Sequence, residues 1–265
     1  MKFKTLLFRL HPLYFLLFVA ISFLSFNSNC ALAAELEKIQ QRGSLIVAVK
    51  ENLRPLGFRN STGNLQGLEI DLAKRLAAEI LGNPEAVVLQ PVSNRDRLSV
   101  VTNNKVDLTI ARVAATAARS RLVDLSFSYY LDGTTFVTKN PNVRQISDLT
   151  RQKIAVIKGS STIADVKYNL PNAQLVGVDS YEAGRSLLES NQVVAFAADA
   201  SVLAGWVQEY PQYHLLPSRL STEALSVVMP RGLKYDTLRR QVNSAITRWQ
   251  AEGWLKERAN YWGLP

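Results

Sequence analysis

The sequence predicts an α/β protein of two lobes, in which two parallel or mixed sheets with flanking helices are joined by two crossing strands. Short buried runs rich in Val and Ile alternate with amphipathic stretches, which is typical of strand–helix–strand units. The alternation occurs twice, before about residue 130 and again between about 150 and 216. Two further apolar segments, 129–141 and 224–232, lie where the chain would pass between the lobes.

Residues 1–33 predict a secretory signal peptide rather than part of the fold. Three basic residues precede an apolar run at 13–26, and Ala31 and Ala33 have the spacing of a signal-peptidase site. The run is shorter than the ~20 residues of a membrane span. We therefore expect cleavage near Ala33 and a periplasmic mature protein. An uncleaved anchor and a lipid on Cys30 remain open.

The elements of both lobes follow from local patterns. In the helix predicted at 69–81, Leu72, Leu76 and Ile80 form one apolar stripe, and Gly82 suits its C-terminal cap. Serines favour helix starts near 160 and 180. The predicted strands are 44–50, 86–92, 106–112, 153–159, 173–178 and 193–199, and the other predicted helices are 94–104, 160–170, 180–191 and a long C-terminal pattern at 235–263.

The predicted organisation has four parts. The signal peptide (1–33) is followed by the first part of lobe one (34–132) and then by lobe two (133–226). The C-terminal helices (227–265) are expected to return to lobe one.

The composition excludes several kinds of chemistry. Without the leader, 28 basic and 22 acidic residues remain, and the only cysteine and one of the two histidines are lost. A disulfide, a Cys/His zinc site and most serine–histidine catalysis are then excluded, because only His214 remains. The net charge of +6 fits an anionic partner, but the chain has no long basic run or zinc-finger spacing. We therefore expect no nucleic acid, metal or cofactor.

Polar residues follow four of the predicted strands, at the edge where ligands bind parallel α/β sheets. Lys50 and Arg112 end strands of lobe one, whereas Ser160, Ser161 and Asp199 follow strands of lobe two. Serines at a helix start suit a carboxylate, and a buried aspartate needs a cationic partner. The pattern therefore indicates a cleft between the lobes.

One further cation completes the interpretation. Arg119 offers a planar fork that can bind a carboxylate through two hydrogen bonds. A ligand with an ammonium and a carboxylate on one carbon would satisfy Arg119, the serine loop at 160–161 and Asp199 together. This description fits an α-amino acid.

Four motifs resemble those of the bacterial extracellular solute-binding proteins of family 3, which serve polar amino-acid ABC importers. They are "GLEIDLAKRLAAEI" (67–80), "ARSRLVDLSFSYY" (118–130), "IAVIKGSST" (154–162) and "GWLKERANYWG" (253–263). The resemblance covers essentially all of 35–265. It implies a type II periplasmic-binding-protein fold, an ABC permease as partner and no catalysis. We expect a monomer.

The resemblance also implies roles for individual residues. Arg119 would bind the ligand α-carboxylate, with Ser160 and Ser161 donating to it from lobe two. Asp199 would accept the α-ammonium, and Thr116 would be a supporting polar residue of lobe one. Glu69 and Asp71 would belong to a scaffold helix without touching the ligand.

Where the chain departs from the family pattern, it gains cations. "NRDRL" (94–98) is similar to the segment of binders of acidic and amide amino acids, and Lys50 lies where a cation can meet a distal carboxylate. Lys50, Arg95, Arg112 and Arg119 could then surround one acidic ligand such as glutamate or aspartate. The alternative for Arg112 and for Arg95 is that the side chain faces solvent or pairs with a nearby Asp, and uncharged polar ligands stay open.

Two other functions are compatible with the same fold. A dehydratase acting on small carboxylates could also use Arg119 as an anchor, but it would need a general acid, for which Asp199 is the only candidate. A ligand-sensing module feeding a receptor is the second alternative.

Overall fold

A computed structural model describes residues 34–265 of the protein. The predicted leader, with Cys30 and the cleavage site at Ala33, lies outside the described residues. Within the described part, no helix combines the length and the apolar character that a membrane crossing needs.

The helices are named in chain order and fall in both lobes. They are α1 (Ala34–Arg42), α2 (Leu68–Leu81), α3 (Ser99–Thr102), α4 (Ala117–Ser120), α5 (Thr162–Asn169), α6 (Tyr181–Glu189), α7 (Ala200–Glu209), α8 (Asp236–Ala251) and α9 (Trp254–Tyr261), with 3₁₀ turns at Ile146–Leu149 and Leu233–Tyr235.

The strands form two five-stranded sheets and one small sheet of three strands. They are β1 (Leu45–Val49), β2 (Asn52–Leu53), β3 (Gly57–Arg59), β4 (Leu65–Gln66), β5 (Val87–Pro91), β6 (Leu108–Ile110), β7 (Asp124–Asp132), β8 (Thr134–Thr138), β9 (Lys153–Ile157), β10 (Gln174–Val178), β11 (Ala195–Asp199), β12 (His214–Leu215) and β13 (Glu223–Met229).

Each large sheet is mixed, and the fold prediction is confirmed. The first lobe has the order β5-β1-β6-β13-β7, with β1 parallel to β5 and β6 and with β13 antiparallel to β6 and β7. The second lobe has the order β10-β9-β11-β8-β12, with β9 parallel to β10 and β11. Because β1, β6, β9 and β11 run parallel within their sheets, their carboxyl ends face the gap where a ligand would lie.

Apolar faces hold each lobe together. The predicted stripe of α2 is fully buried in the first-lobe core, and Gly82 closes the helix in a left-handed conformation, donating to Ala78 O over 2.8 Å. In the second lobe, separate clusters around Phe136 and Phe196 cover the two faces of the sheet. Ser180 accepts a hydrogen bond from Ala183 N and caps α6, as predicted.

One predicted helix is much shorter in the structure. The helix predicted at 94–104 is limited to α3, because Ser93 and Asp96 form a local turn instead. Ser93 Oγ donates to the Asp96 carboxylate over 2.6 Å and accepts from Asp96 N over 3.2 Å. The second contact is that of an N-cap, and the backbone forms turns from Asn94 to Leu98 before the short helix α3 begins at Ser99.

The chain passes between the lobes twice. It leaves the first sheet at the end of β7 and enters the second sheet in β8, with Gly133 between them. It returns through 216–222, so the apolar segment predicted to cross at 224–232 belongs to the first sheet as β13. The two passages touch at Gly133, where a Cβ atom would lie 1.9 Å from Ser221 O.

Helix α7 of the second lobe packs directly on the first lobe. Ala204 is buried in the first-lobe core, and Gln208 Nε2 donates to Trp262 O over 2.7 Å. A Cβ atom on Gly205 would lie 2.1 Å from the backbone oxygen of Arg54. Glycine at 205 therefore allows the close approach of the lobes.

Gly205→Ala is expected to destabilise the protein and to separate the lobes. Alanine favours a helix by up to ~1 kcal/mol over glycine, but the clash with a backbone carbonyl of Arg54 costs ~1–3 kcal/mol. Urea unfolding should show a net loss of stability, and small-angle scattering should show a larger radius of gyration. A more stable variant of unchanged radius would contradict the steric interpretation.

Candidate functional site

A cavity of about 450 Å³ lies between the lobes, bordered by the carboxyl ends of the first-lobe strands and by α6 and α7 of the second lobe. Of the predicted site residues, Lys50 and Arg112 line this cavity. Its lining residues are Lys50, Asn52, Leu53, Arg54, Asn94, Arg112, Tyr181, Glu182, Arg185, Val202, Gly205, Trp206, Glu209 and Tyr210.

Arg112 lies at the centre of an acidic cluster rather than among free cations. Its Nη2 forms an ion pair with Asp199 Oδ2 from the second lobe and is 3.9 Å from Glu223 Oε2. Its Nε lies 3.2 Å from Asp132 Oδ2 and 3.4 Å from Ser201 Oγ. The contact with Asp199 lacks hydrogen-bond geometry and is a contact of charges. The structure thus matches the alternative in which Arg112 pairs with a nearby Asp.

Glu69 explains the unusual backbone of Arg112. Its carboxylate is fully buried, and Oε1 accepts hydrogen bonds from Arg112 N over 2.6 Å and from Tyr129 Oη over 2.5 Å. Arg112 has a φ of +49°, which is uncommon for a residue with a side chain. Burial raises the pKa of Glu69, against the effect of its hydrogen bonds. Glu69 is therefore a scaffold residue that fixes the start of the Arg112 side chain.

Asp71, the second acid of α2, is also structural. It accepts from Nε and Nη2 of Arg258 over 3.0 and 2.6 Å and from Trp262 Nε1 over 2.7 Å. These bonds attach the C-terminal helix α9 to α2.

Asp199 is mostly buried at the end of β11. Burial raises its pKa to about 6, opposed by Arg112 and assisted by the negative charges of Asp132, Glu223 and Asp165. This pKa exceeds the ordinary aspartate value, so ionised Asp199 costs stability in the folded protein.

Asp199→Asn is expected to change how stability depends on pH. In the wild type, the contribution of Asp199 is present below pH ~4 and is lost as the pH rises through about 6. The difference between the ordinary aspartate pKa of 3.8 and the pKa of about 6 in the folded protein corresponds to roughly 3 kcal/mol. The difference in unfolding free energy between wild type and variant, measured at pH 4 and pH 7, should move in favour of the variant at pH 7. A constant difference would contradict the assigned pKa.

The buried Lys50 and the half-buried Arg97 provide positive charge in the first lobe. Lys50 has 7 % exposure, and its Nζ donates to Val92 O over 3.2 Å. Arg97 Nη1 donates to Ala111 O and Arg112 O over 3.2 and 2.6 Å. Neither side chain forms an ion pair within the described residues. Burial lowers the pKa of Lys50, with the charge of Arg97 adding to the effect.

Arg119 stands in α4 with its guanidinium free of carboxylates among residues 34–265. Its Nη1 donates to Ala114 O over 2.6 Å, and its charge acts on Arg97. Thr116 is the N-cap of α4 and accepts from Arg119 N over 3.3 Å. The observed contacts of Thr116 are therefore those of a cap.

Six of the eight predicted site residues lie outside the cavity lining: Thr116, Arg119 and Asp199, whose contacts are given above, and Arg95, Ser160 and Ser161. Arg95 is exposed, so the prediction that it faces the ligand is not matched by the structure. The cation of "NRDRL" that turns toward the strand ends is Arg97 instead, which donates to Arg112 O. The turn at Ser93 sets this direction. Ser160 Oγ donates to Ile157 O over 2.8 Å, and Ser161 is exposed at the start of α5 without a side-chain cap.

Sequence reasoning missed the second-lobe wall of the cavity and one partner from the first lobe. Arg185 lies 4.3 Å from the centre of the Tyr210 ring, and Arg54 lies 3.9 Å from the centre of Phe58. Arg54 also reaches across the gap to Glu209, at 3.6 Å. A helical pattern at 180–191 placed Arg185 on a helix, but only the packing shows which face borders the gap.

Comparisons with known proteins agree with this architecture. Residues 45–265 match the model of the bacterial extracellular solute-binding proteins, family 3. The glutamine-binding protein of Geobacillus stearothermophilus is 30% identical over 195 residues, which is 72% of this chain and 74% of that protein. The ABC transporter glutamine-binding protein of Bacillus subtilis is 25% identical over 233 residues, covering 84% and 85%.

A solved structure supports the fold independently. An ancestral cationic amino acid solute-binding protein superposes with a TM-score of 0.73 at 24% identity, covering 86% of this chain and 99% of that one. At this identity the likeness concerns the fold alone. Together with the family match over most of the chain, it identifies the protein as a member of the bacterial extracellular solute-binding proteins, family 3.

Proposed function

We propose that the protein captures one L-amino acid of the size of glutamine or glutamate between its lobes and delivers it to an ABC permease. The observation that supports this most is the set of first-lobe cations, Lys50, Arg97 and Arg119, which have no carboxylate partner among the described residues. Lys50 is buried and lines the cavity, whereas Arg97 and Arg119 are half-buried and lie outside its lining; a buried charge is costly unless an anion compensates it. Arg119 is the proposed partner of the α-carboxylate.

The remaining parts of the proposal concern the whole molecule. We place a cleaved leader at 1–33, a periplasmic monomer, and lobe segments at 34–132, 133–222 and 223–265; the last two replace the predicted 133–226 and 227–265, because β13 (Glu223–Met229) lies in the first sheet. Sheet membership of the chain changes between Asp132 and Thr134 and again between Leu215 and Glu223. The curated relatives are named as binding proteins, which supports binding without chemistry rather than a dehydratase.

Calorimetric titration of residues 34–265 tests the proposal. The protein should be unfolded and refolded to remove bound solute, and then titrated with each of the twenty L-amino acids. Stoichiometric heat from one or a few of them supports the proposed function. Silence from all twenty would overturn it.

The preference for an acidic side chain is the finer part of the proposal. Lys50 borders the cavity, is buried and has no ion-pair partner in the described part of the chain, so it suits the distal carboxylate of glutamate. Lys50→Met should weaken glutamate binding by ~10-fold or more, since a charge-assisted contact is lost, and should change glutamine binding less than ~3-fold. Equal losses for the two ligands would argue against charge recognition by Lys50.

A further inference from the structure

Arg112 occupies the acidic side of the cleft, where the ligand ammonium would otherwise bind. Asp199 is the anion that the sequence assigns to that ammonium. In the structure its carboxylate already contacts the Arg112 guanidinium, which comes from the opposite lobe. The Arg112 guanidinium thus takes the place beside Asp199 that the α-ammonium group of an amino-acid ligand was expected to occupy.

The surrounding contacts favour the guanidinium over an ammonium group. Arg112 reaches Asp132, Asp199 and Ser201 at the same time, with Glu223 at 3.9 Å, and its side chain is 18 % exposed. A ligand ammonium would have to displace it. Displacement would leave these acids without their shared partner. Removing one partner of a buried ion pair is strongly destabilising, because the charge that remains is uncompensated.

The backbone keeps Arg112 in this place. Its N–H donates to Glu69 over 2.6 Å, and its carbonyl oxygen accepts from Arg97 over 2.6 Å. The N–H and the carbonyl oxygen of Arg112 are therefore both held by first-lobe side chains, the buried Glu69 and the half-buried Arg97. These bonds fix the backbone from which the Arg112 side chain extends toward Asp132 and Asp199.

The rest of the cavity wall is rich in cations. Lys50 and Arg185 line it and form no ion pair with any of residues 34–265, and Arg54 is paired with Glu209 at 3.6 Å. Glu182 is the other acid of the wall. This wall offers contacts for the acid and amide groups of a ligand.

We propose that the cleft recognises short-chain carboxylic acids through their acid and amide groups and does not require an α-ammonium group. This inference rests on the proposed function and names the class of solute: dicarboxylates and their monoamides, with or without an amino group. Arg112 is the specificity-determining residue, because its ion pair with Asp199 occupies the carboxylate that would otherwise accept the ligand ammonium.

Matched ligand pairs that differ only in the amino group test the inference on wild-type residues 34–265. The pairs are L-glutamate with glutarate, L-aspartate with succinate, and L-glutamine with glutaramate. We expect at least one pair to bind with dissociation constants that differ less than tenfold. A tenfold or greater preference for the amino acid in every pair that binds would overturn the inference.

Arg112→Gly provides the second test. Glycine accepts the φ of +49° without steric cost, and the substitution frees Asp199 for a ligand ammonium. In the folded variant, preference for the amino acid within the bound pair should rise by tenfold or more. An unchanged preference would show that Asp199 is not the ammonium acceptor. If the variant does not fold, the titration of the wild-type protein with the three matched ligand pairs still tests the inference.

The outcomes separate this inference from the proposed function. Tight binding of an amino acid with rejection of its ammonium-free partner leaves the proposed function intact and overturns the inference. Binding of the ammonium-free acids alone supports the inference and overturns the amino-acid assignment. Silence from all six compounds overturns the inference, and the titration with twenty amino acids then decides the proposed function.

Discussion

Arg119→Ala is expected to weaken binding of the natural solute by ~30-fold or more. Arg119 keeps a guanidinium without a carboxylate partner in the described residues, anchored by one hydrogen bond to Ala114 O. Truncating one partner of a charge-assisted pair in a closed cleft costs ~2–5 kcal/mol, and ~1.4 kcal/mol is tenfold in affinity. Calorimetry with the best ligand from the titration measures the effect.

Arg121→Ala is the matched control for this substitution. It removes the same charge two residues later, from an exposed side chain that forms no hydrogen bond or ion pair within residues 34–265; only the backbone oxygen of Arg121 is bonded, by Arg231 Nη1. Affinity for the solute should change less than ~2-fold, because an exposed charge is screened by solvent. Equal loss in the two variants would indicate a general effect of charge, and unchanged binding in Arg119→Ala would remove Arg119 from the site.

Much of the scaffold could be predicted because local and global requirements agree. The apolar stripe of α2, the left-handed Gly82 and the Ser180 cap each follow from local chemistry, and each is present in the structure. The alternation of strands and helices leads directly to the two sheets. The small sheet β2-β3-β4 was not predicted, because strands of two or three residues are too short to show a period.

The site was harder to predict than the scaffold, because charges were assigned without their partners. The sequence places Arg112 and Asp199 at strand ends that face one cleft, but it does not show that the two side chains pair with each other there. Arg95 and Arg97 could not be separated for a similar reason. Only the turn made by Ser93 and Asp96 decides which of the two points inward.

Arg112→Met is expected to destabilise the protein by ~3 kcal/mol at neutral pH. Methionine preserves much of the side-chain volume but leaves Asp132, Asp199 and Glu223 without the shared guanidinium. Breaking a buried pair by removing one partner costs ~3–5 kcal/mol, and the lower figure applies because Arg112 is 18 % exposed. Urea unfolding at pH 7 measures the loss.

The same variant should recover stability in acid. Arg112 lowers the pKa of Asp199, so its removal moves that pKa above the present value of about 6. Protonation then relieves the unpaired charge, and the gap to wild type should shrink as the pH falls from 7 to 5. The double variant Arg112→Met/Asp199→Asn should regain part of the stability at pH 7, because the most affected carboxylate is gone. A gap that is independent of pH, with no recovery in the double variant, would mean that Arg112 stabilises the cleft by packing rather than by charge.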